Sequence, residues 1–99
     1  MSISAAEISV PRALAVSVSS DTLAVDLADG RTLAVPTAWF PRLLHATPAE
    51  RDAWRLIAAG EGIHWPLLDE DVSVESLLAG RRSAESQVSL KRWLTSRCA

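Results

Sequence analysis

Cysteine is nearly absent from this chain: Cys98 stands alone, next to the end of the 99-residue sequence. A single thiol cannot close an intramolecular disulfide, so nothing in the cysteine usage points to an oxidising compartment. Tyrosine is missing and phenylalanine occurs once, which leaves four tryptophans to supply the large rings of a core. No apolar run approaches the length of a membrane-spanning helix. The opening MSISAAEISVPRALAVSVSS lacks a basic start and an uninterrupted apolar stretch, so it does not read as a secretion signal. Together these absences make a soluble cytoplasmic protein the expectation, with no membrane partner. Glycine is also scarce. Gly60-Glu61-Gly62 is too short for a phosphate loop and precedes a strand rather than a helix, and no serine sits in a Gly-flanked nucleophile elbow.

What is present is an ordinary globular composition, 48% apolar and 22% charged, at a length that supports one modest core. Residues 13–35 read as a three-stranded antiparallel meander. Leu14, Val16 and Val18 alternate with small or polar residues, as do Leu23, Val25 and Leu27, and then Leu33 and Val35. A four-residue loop Ser19–Thr22 places Val18 opposite Leu23, Val16 opposite Val25 and Leu14 opposite Leu27. At the second turn, a three-residue loop Ala28-Asp29-Gly30 with a left-handed glycine pairs Val25 with Leu33 and Leu23 with Val35. A two-residue turn would send Leu33 and Val35 to the polar face, so the longer loop is expected.

Pro36 ends the third strand. Thr37 is expected to cap a short helix carrying Trp39, Phe40, Leu43 and Leu44, with Pro41 in its first turn or at a fresh start. Thr47-Pro48-Ala49-Glu50 has the form of a capping box, and the helix after it is expected to carry Ala53, Trp54, Ile57 and Ala58 as far as Gly60. Ile63-His64-Trp65 reads as a short strand stopped by Pro66. The acidic run Asp69-Glu70-Asp71 then reads as a loop before a helix capped by Ser73 and ended by Gly80. A last helix starts near Ser83 or Ser86, with Leu90, Trp93 and Leu94 as its apolar stripe. The expected class is α+β: a three- to four-stranded antiparallel meander sheet packed by short helices, with a C-terminal amphipathic helix. The expected organisation is a body over 1–80 and a basic helical extension over 81–99.

The segment GIHWPLLDEDVSVESLLAG, with LADGRTLAVP and WFPRLLHATPAER upstream, resembles the domain of unknown function 2442 family of small bacterial proteins. The resemblance covers roughly residues 10–80, and the tail SAESQVSLKRWL looks like an extension carried by some members. It implies an α+β fold and no established activity. Members are often encoded beside another small protein and some are fused to a helix-turn-helix domain, a setting similar to toxin–antitoxin operons.

Few residues qualify as functional candidates. His64 lies near Asp69, Glu70 and Asp71 in sequence, and a histidine beside a carboxylate can do acid–base work or bind a metal. No second histidine or cysteine converges on it, so His64 is read as a polar-face strand residue. No catalytic residue, metal or cofactor is assigned. His45 reads as a helix C-terminal residue, favoured there by the helix dipole. The acidic run suits the start of the following helix, and docking of a basic partner is its sharper reading. Charge is distributed unevenly. Residues 81–99 hold Arg81, Arg82, Lys91, Arg92 and Arg97 against Glu85, a side-chain charge of +4, while residues 1–80 carry −6. The basic tail can fold onto its own body, pack on a second copy, or bind nucleic acid or an acidic protein, and its apolar stripe favours the first two.

The expectation is therefore a non-enzymatic protein-interaction module, self-associating or paired with a neighbouring gene's product. A nucleic-acid-linked, antitoxin-like regulator is the alternative. The candidate interaction residues are His64, Trp65, Asp69, Glu70, Asp71, Arg81, Arg82, Lys91, Arg92 and Trp93.

Overall fold

The computed structural model describes residues 10–97, so Cys98 lies outside the described residues. Strands β1 (Ala13–Val18), β2 (Thr22–Leu27) and β3 (Thr32–Pro36) form the expected antiparallel meander in the order β1-β2-β3. Its second turn is the longer loop: Leu27 N–H donates to the Arg31 carbonyl at 2.8 Å, and Gly30 takes φ +97°. That geometry pairs Val25 with Leu33 and Leu23 with Val35, so the apolar side chains share one face.

The first hairpin departs from expectation at one residue. Val18 faces Leu23 and Val16 faces Val25, but Ala13 rather than Leu14 stands opposite Leu27. A bulge between Ala13 and Ala15 inserts an extra residue, and Leu14 turns out to solvent at 60% exposure while Ala13 is buried. The bulge lies at a close crossing. A Cβ on Gly60 would sit 3.0 Å from Arg12 Cβ and 3.1 Å from the Ala13 carbonyl, so the start of β1 is approached there by a residue that must be glycine.

After β3 a short 3-10 turn (Thr37–Trp39) leads to α1 (Pro41–Leu44). Thr37 is not the helix cap. It is fully buried, and its hydroxyl donates to the Ser19 carbonyl at 2.9 Å, tying the chain back to the first hairpin loop. Pro41 makes the fresh start at the first position of α1. Helix α2 (Pro48–Asp52) opens with the full capping box, Thr47 and Glu50 each bonding the other's backbone N–H. It stops at Asp52, far short of Gly60. Arg55–Ile57 is strand β4 instead, paired with β5 (Gly62–Trp65), and β6 (Glu70–Ser73) pairs on β5's other side. The apolar spacing of Trp54, Ile57 and Ala58 fits a helix, but pairing with Gly62–His64 decides the conformation.

Glu70 and Asp71 of the acidic run are likewise in a strand rather than a loop, because Val72 enters the core opposite Ile63, and only Asp69 stays in the turn. The molecule thus has a second three-stranded antiparallel sheet, in the order β4-β5-β6, which the sequence reading did not separate from the first. Helix α3 (Val74–Leu78) is capped by Ser73 and closed by Gly80 at φ +73°. Helix α3 packs against both sheets, on β3 and β6, while α2 packs against β1 and is bonded to β5 through the Trp65 indole. Between them lie Leu23, Val25, Leu43, Ile63, Trp65, Leu68 and Val74, all fully buried. The last helix, α4 (Gln87–Arg97), starts after Ser86, whose hydroxyl accepts the Ser89 N–H at 3.0 Å.

Candidate protein-interaction site

Strand alternation sorts the central candidates. Cross-strand partners share a face, so Trp65 and Glu70 point inward with Ile63 and Val72, while His64 and Asp71 point outward with Arg55. Trp65 is fully buried and its indole N–H donates to the Arg51 carbonyl at 3.1 Å, so it belongs to the core rather than to a contact surface. On the outer face the His64 imidazole Nδ1 is hydrogen-bonded to the Asp71 carboxylate, completing the row Arg55, His64, Asp71 across the sheet. That row can orient an imidazole. Among the described residues no group of three or more His, Cys, Asp or Glu side chains is placed to hold a metal ion.

Glu70 pays for its inward position. Burial, reinforced by the nearby Glu85 carboxylate, pushes its carboxyl up to about 7. One of its oxygens, Oε2, is buried without a hydrogen-bond partner. Asp69 is exposed at the turn before β6 and takes φ +50°.

Glu85 belongs to an ion cluster that fastens the tail to the body. Arg42 of α1 donates from Nε and Nη2 to the Glu85 carboxylate at 2.9 and 2.8 Å, and from Nη1 to the Leu68 carbonyl at 2.9 Å. This pairing holds Glu85 below the usual carboxylate range and raises the guanidinium. The Arg42 guanidinium also lies 5.2 Å from the centre of the Trp93 ring, and Arg97 lies 4.6 Å from it. Arg97 in turn grips Glu50 through two bonds of 2.8 and 2.7 Å, and with the Thr47 N–H it holds the Glu50 carboxyl down at about 2. Upstream, Ser83 N–H donates to the Trp39 carbonyl at 2.9 Å, and the Arg82 guanidinium stacks 5.0 Å from the Trp39 ring centre.

Among the described residues the tail therefore lies on its own body, held at Trp39, Arg42 and Glu50. Two of its cations, Arg82 and Arg97, are engaged in that attachment. Arg81, Lys91 and Arg92 are exposed. Lys91 and Arg92 share the outer face of α4 with Val88, which is 67% exposed, and Thr95. Sequence reasoning missed Arg42, Glu50 and Arg51 as fastening residues. For Arg42 the signal available was a cation set among apolar neighbours, Phe40-Pro41-Arg42-Leu43-Leu44, whereas Glu50 and Arg51 stand in the polar run Glu50-Arg51-Asp52 and carry no such signal. Arg51 is buried and donates to the Leu43 and Leu44 carbonyls at 2.9 and 2.8 Å, closing the end of α1. His45 takes the expected C-cap position of that helix.

No helix among the described residues is long and apolar enough to cross a membrane. The fold is similar to two solved structures of proteins without assigned function. One, from Rhodospirillum rubrum, is 33% identical and superposes with a TM-score of 0.66, covering 78% of this chain and 95% of its own. The other, a solution structure from Chromobacterium violaceum, is 25% identical with a TM-score of 0.64, covering 87% of this chain and 75% of its own. No curated protein matches the chain. The family model described as "Protein of unknown function (DUF2442)" matches residues 13–83, and the chain belongs to that family.

Proposed function

We propose that this chain is a non-enzymatic protein-interaction module of the cytoplasm, and that the outer face of α4 is its docking element. The observation that carries the reading is the poor burial of α4. None of its eleven residues is buried, although it carries Val88, Leu90, Trp93 and Leu94. A helix of this length is marginal alone and draws its stability from packing. Here the inner face leans on the body through Trp93 and the Arg97–Glu50 pair, and the outer face offers Val88 beside two exposed cations, Lys91 and Arg92. A basic-apolar helix face suits an acidic protein surface, with the aliphatic stems of Lys91 and Arg92 contributing contact area. Members of the family it resembles are often encoded beside another small protein, which makes such a neighbour the first partner to test. Nucleic acid is the less favoured ligand, because Arg82 and Arg97 are drawn into intramolecular contacts.

The test is affinity purification from the native host, comparing wild type with a Val88→Asp, Lys91→Glu, Arg92→Glu variant whose changes are all at exposed positions. The reading expects one protein retained in stoichiometric amount by wild type and lost by the variant, and the purified pair to reassemble. A monomer that retains nothing, or equal retention by both, would overturn it.

A further inference from the structure

A second surface, away from α4, carries chemistry that the proposed docking face does not use. Strand β1 is an edge of the first sheet and β4 an edge of the second. The turn Ala58-Ala59-Gly60 brings these two edges together. Ala58 and Ala59 take φ +50° and +56°, left-handed values that strain a residue bearing a Cβ, and Gly60 takes φ +91° against Arg12 and Ala13. Between the edges lies a groove of about 540 Å³, into which Leu14, Leu56 and Ile57 project. All three are exposed, so branched apolar side chains crowd one place on the surface.

The two edges are not equivalent. The bulge at Leu14 interrupts the β1 ladder, and a bulged edge accepts an added strand poorly. Strand β4 pairs regularly with β5 through Arg55, Leu56 and Ile57, and among the described residues its other edge has no neighbouring strand. Charge then selects among occupants. Arg12 is the one charged residue among those lining the groove, and Arg55 begins β4; neither has an ionic partner among the described residues. A second copy of this chain would bring the same cations to the seam, which disfavours self-pairing.

We infer that the open edge of β4 takes an extended segment of another protein, added as a strand, with apolar side chains on Leu56 and Leu14 and a carboxylate facing Arg12 or Arg55. Backbone hydrogen bonds along β4 supply affinity, and alternation of apolar and acidic side chains supplies selection. This surface is independent of the α4 docking face, and either can fail without the other.

The experiment uses the whole chain, labelled with nitrogen-15, titrated at low salt with a blocked peptide alternating valine and glutamate. Its counterpart replaces every glutamate with lysine. The expected result is saturable shifts in the amides of residues 12–14 and 55–60, with the glutamate peptide binding about tenfold tighter. Arg12→Glu together with Arg55→Glu, both at exposed positions, should reverse the preference. The inference is overturned by shifts confined to other residues, by no shift with either peptide, or by a preference unchanged in the charge-reversed variant. It is also overturned if the free chain is dimeric and Leu56→Asp makes it monomeric, since a second copy would then hold the groove.

Discussion

Replacing Glu70 with glutamine removes a titrating group from the core side of β6 and leaves its shape nearly unchanged. The folded carboxyl keeps its proton up to about 7, against an ordinary value of 4.5, because burial and then the Glu85 charge penalise ionisation. Between those two pH values the native state binds more protons than the unfolded chain, so stability falls as pH rises from about 4.5 to about 7 and stays reduced above it. The displacement corresponds to about 3 kcal/mol at 1.36 kcal/mol per pH unit. Part of the carboxyl remains in water, and screening brings the expected cost down to about 1–2 kcal/mol. Glu70→Gln is therefore expected to be more stable than wild type by that amount at pH 8, a rise in melting temperature of about 5–10 °C for a chain this short. Glu50 acts in the opposite sense: its stabilisation is present above about pH 4.5 and disappears as pH falls towards about 2. Wild type and variant share that loss, so it cancels in the difference. Chemical denaturation from pH 4.5 to 8 checks the account. A difference independent of pH, or a variant less stable at pH 8, would refute it.

Further predictions test the attachments. Glu85→Ala removes the partner of Arg42, and both side chains are at least four-fifths buried, at 9% and 17% exposure. It should cost about 2–3 kcal/mol and speed tryptic cleavage after Arg81 and Arg82; an unchanged digestion rate would show that the pair does not hold the tail. Gly60→Ala combines a left-handed backbone with a Cβ 3.0 Å from Arg12 Cβ, and should lower stability by about 2 kcal/mol or more in urea denaturation. Trp65→Phe leaves the Arg51 carbonyl without its indole donor and should cost about 1–3 kcal/mol by the same measurement.

Local chemistry was legible in the sequence wherever a few neighbouring residues decide the conformation. Gly30 set the second hairpin, Thr47 and Glu50 closed their capping box, and Ser73 and Ser86 started the last two helices. Errors arose where distant residues decide. Leu56 and Ile57 join a strand because Ile63 and Gly62 lie beside them, and Leu14 faces solvent because a bulge puts Ala13 opposite Leu27. Of the candidate contact residues, two face inward for the same reason: Trp65 is core and Glu70 lies beside it, since a strand residue's face depends on which sheet it joins. The basic tail was legible as a unit of charge. Its fastening through Arg42 and Glu50 was not, because both partners lie more than forty residues away in the chain.

The central claim, that the outer face of α4 docks an acidic protein partner, is tested most directly by light scattering on the partner mixed with this chain. Wild type is expected to form a complex of defined stoichiometry that weakens as salt rises. The Val88→Asp, Lys91→Glu, Arg92→Glu variant should stay separate while melting at an unchanged temperature. A complex formed equally well by that variant would contradict the claim.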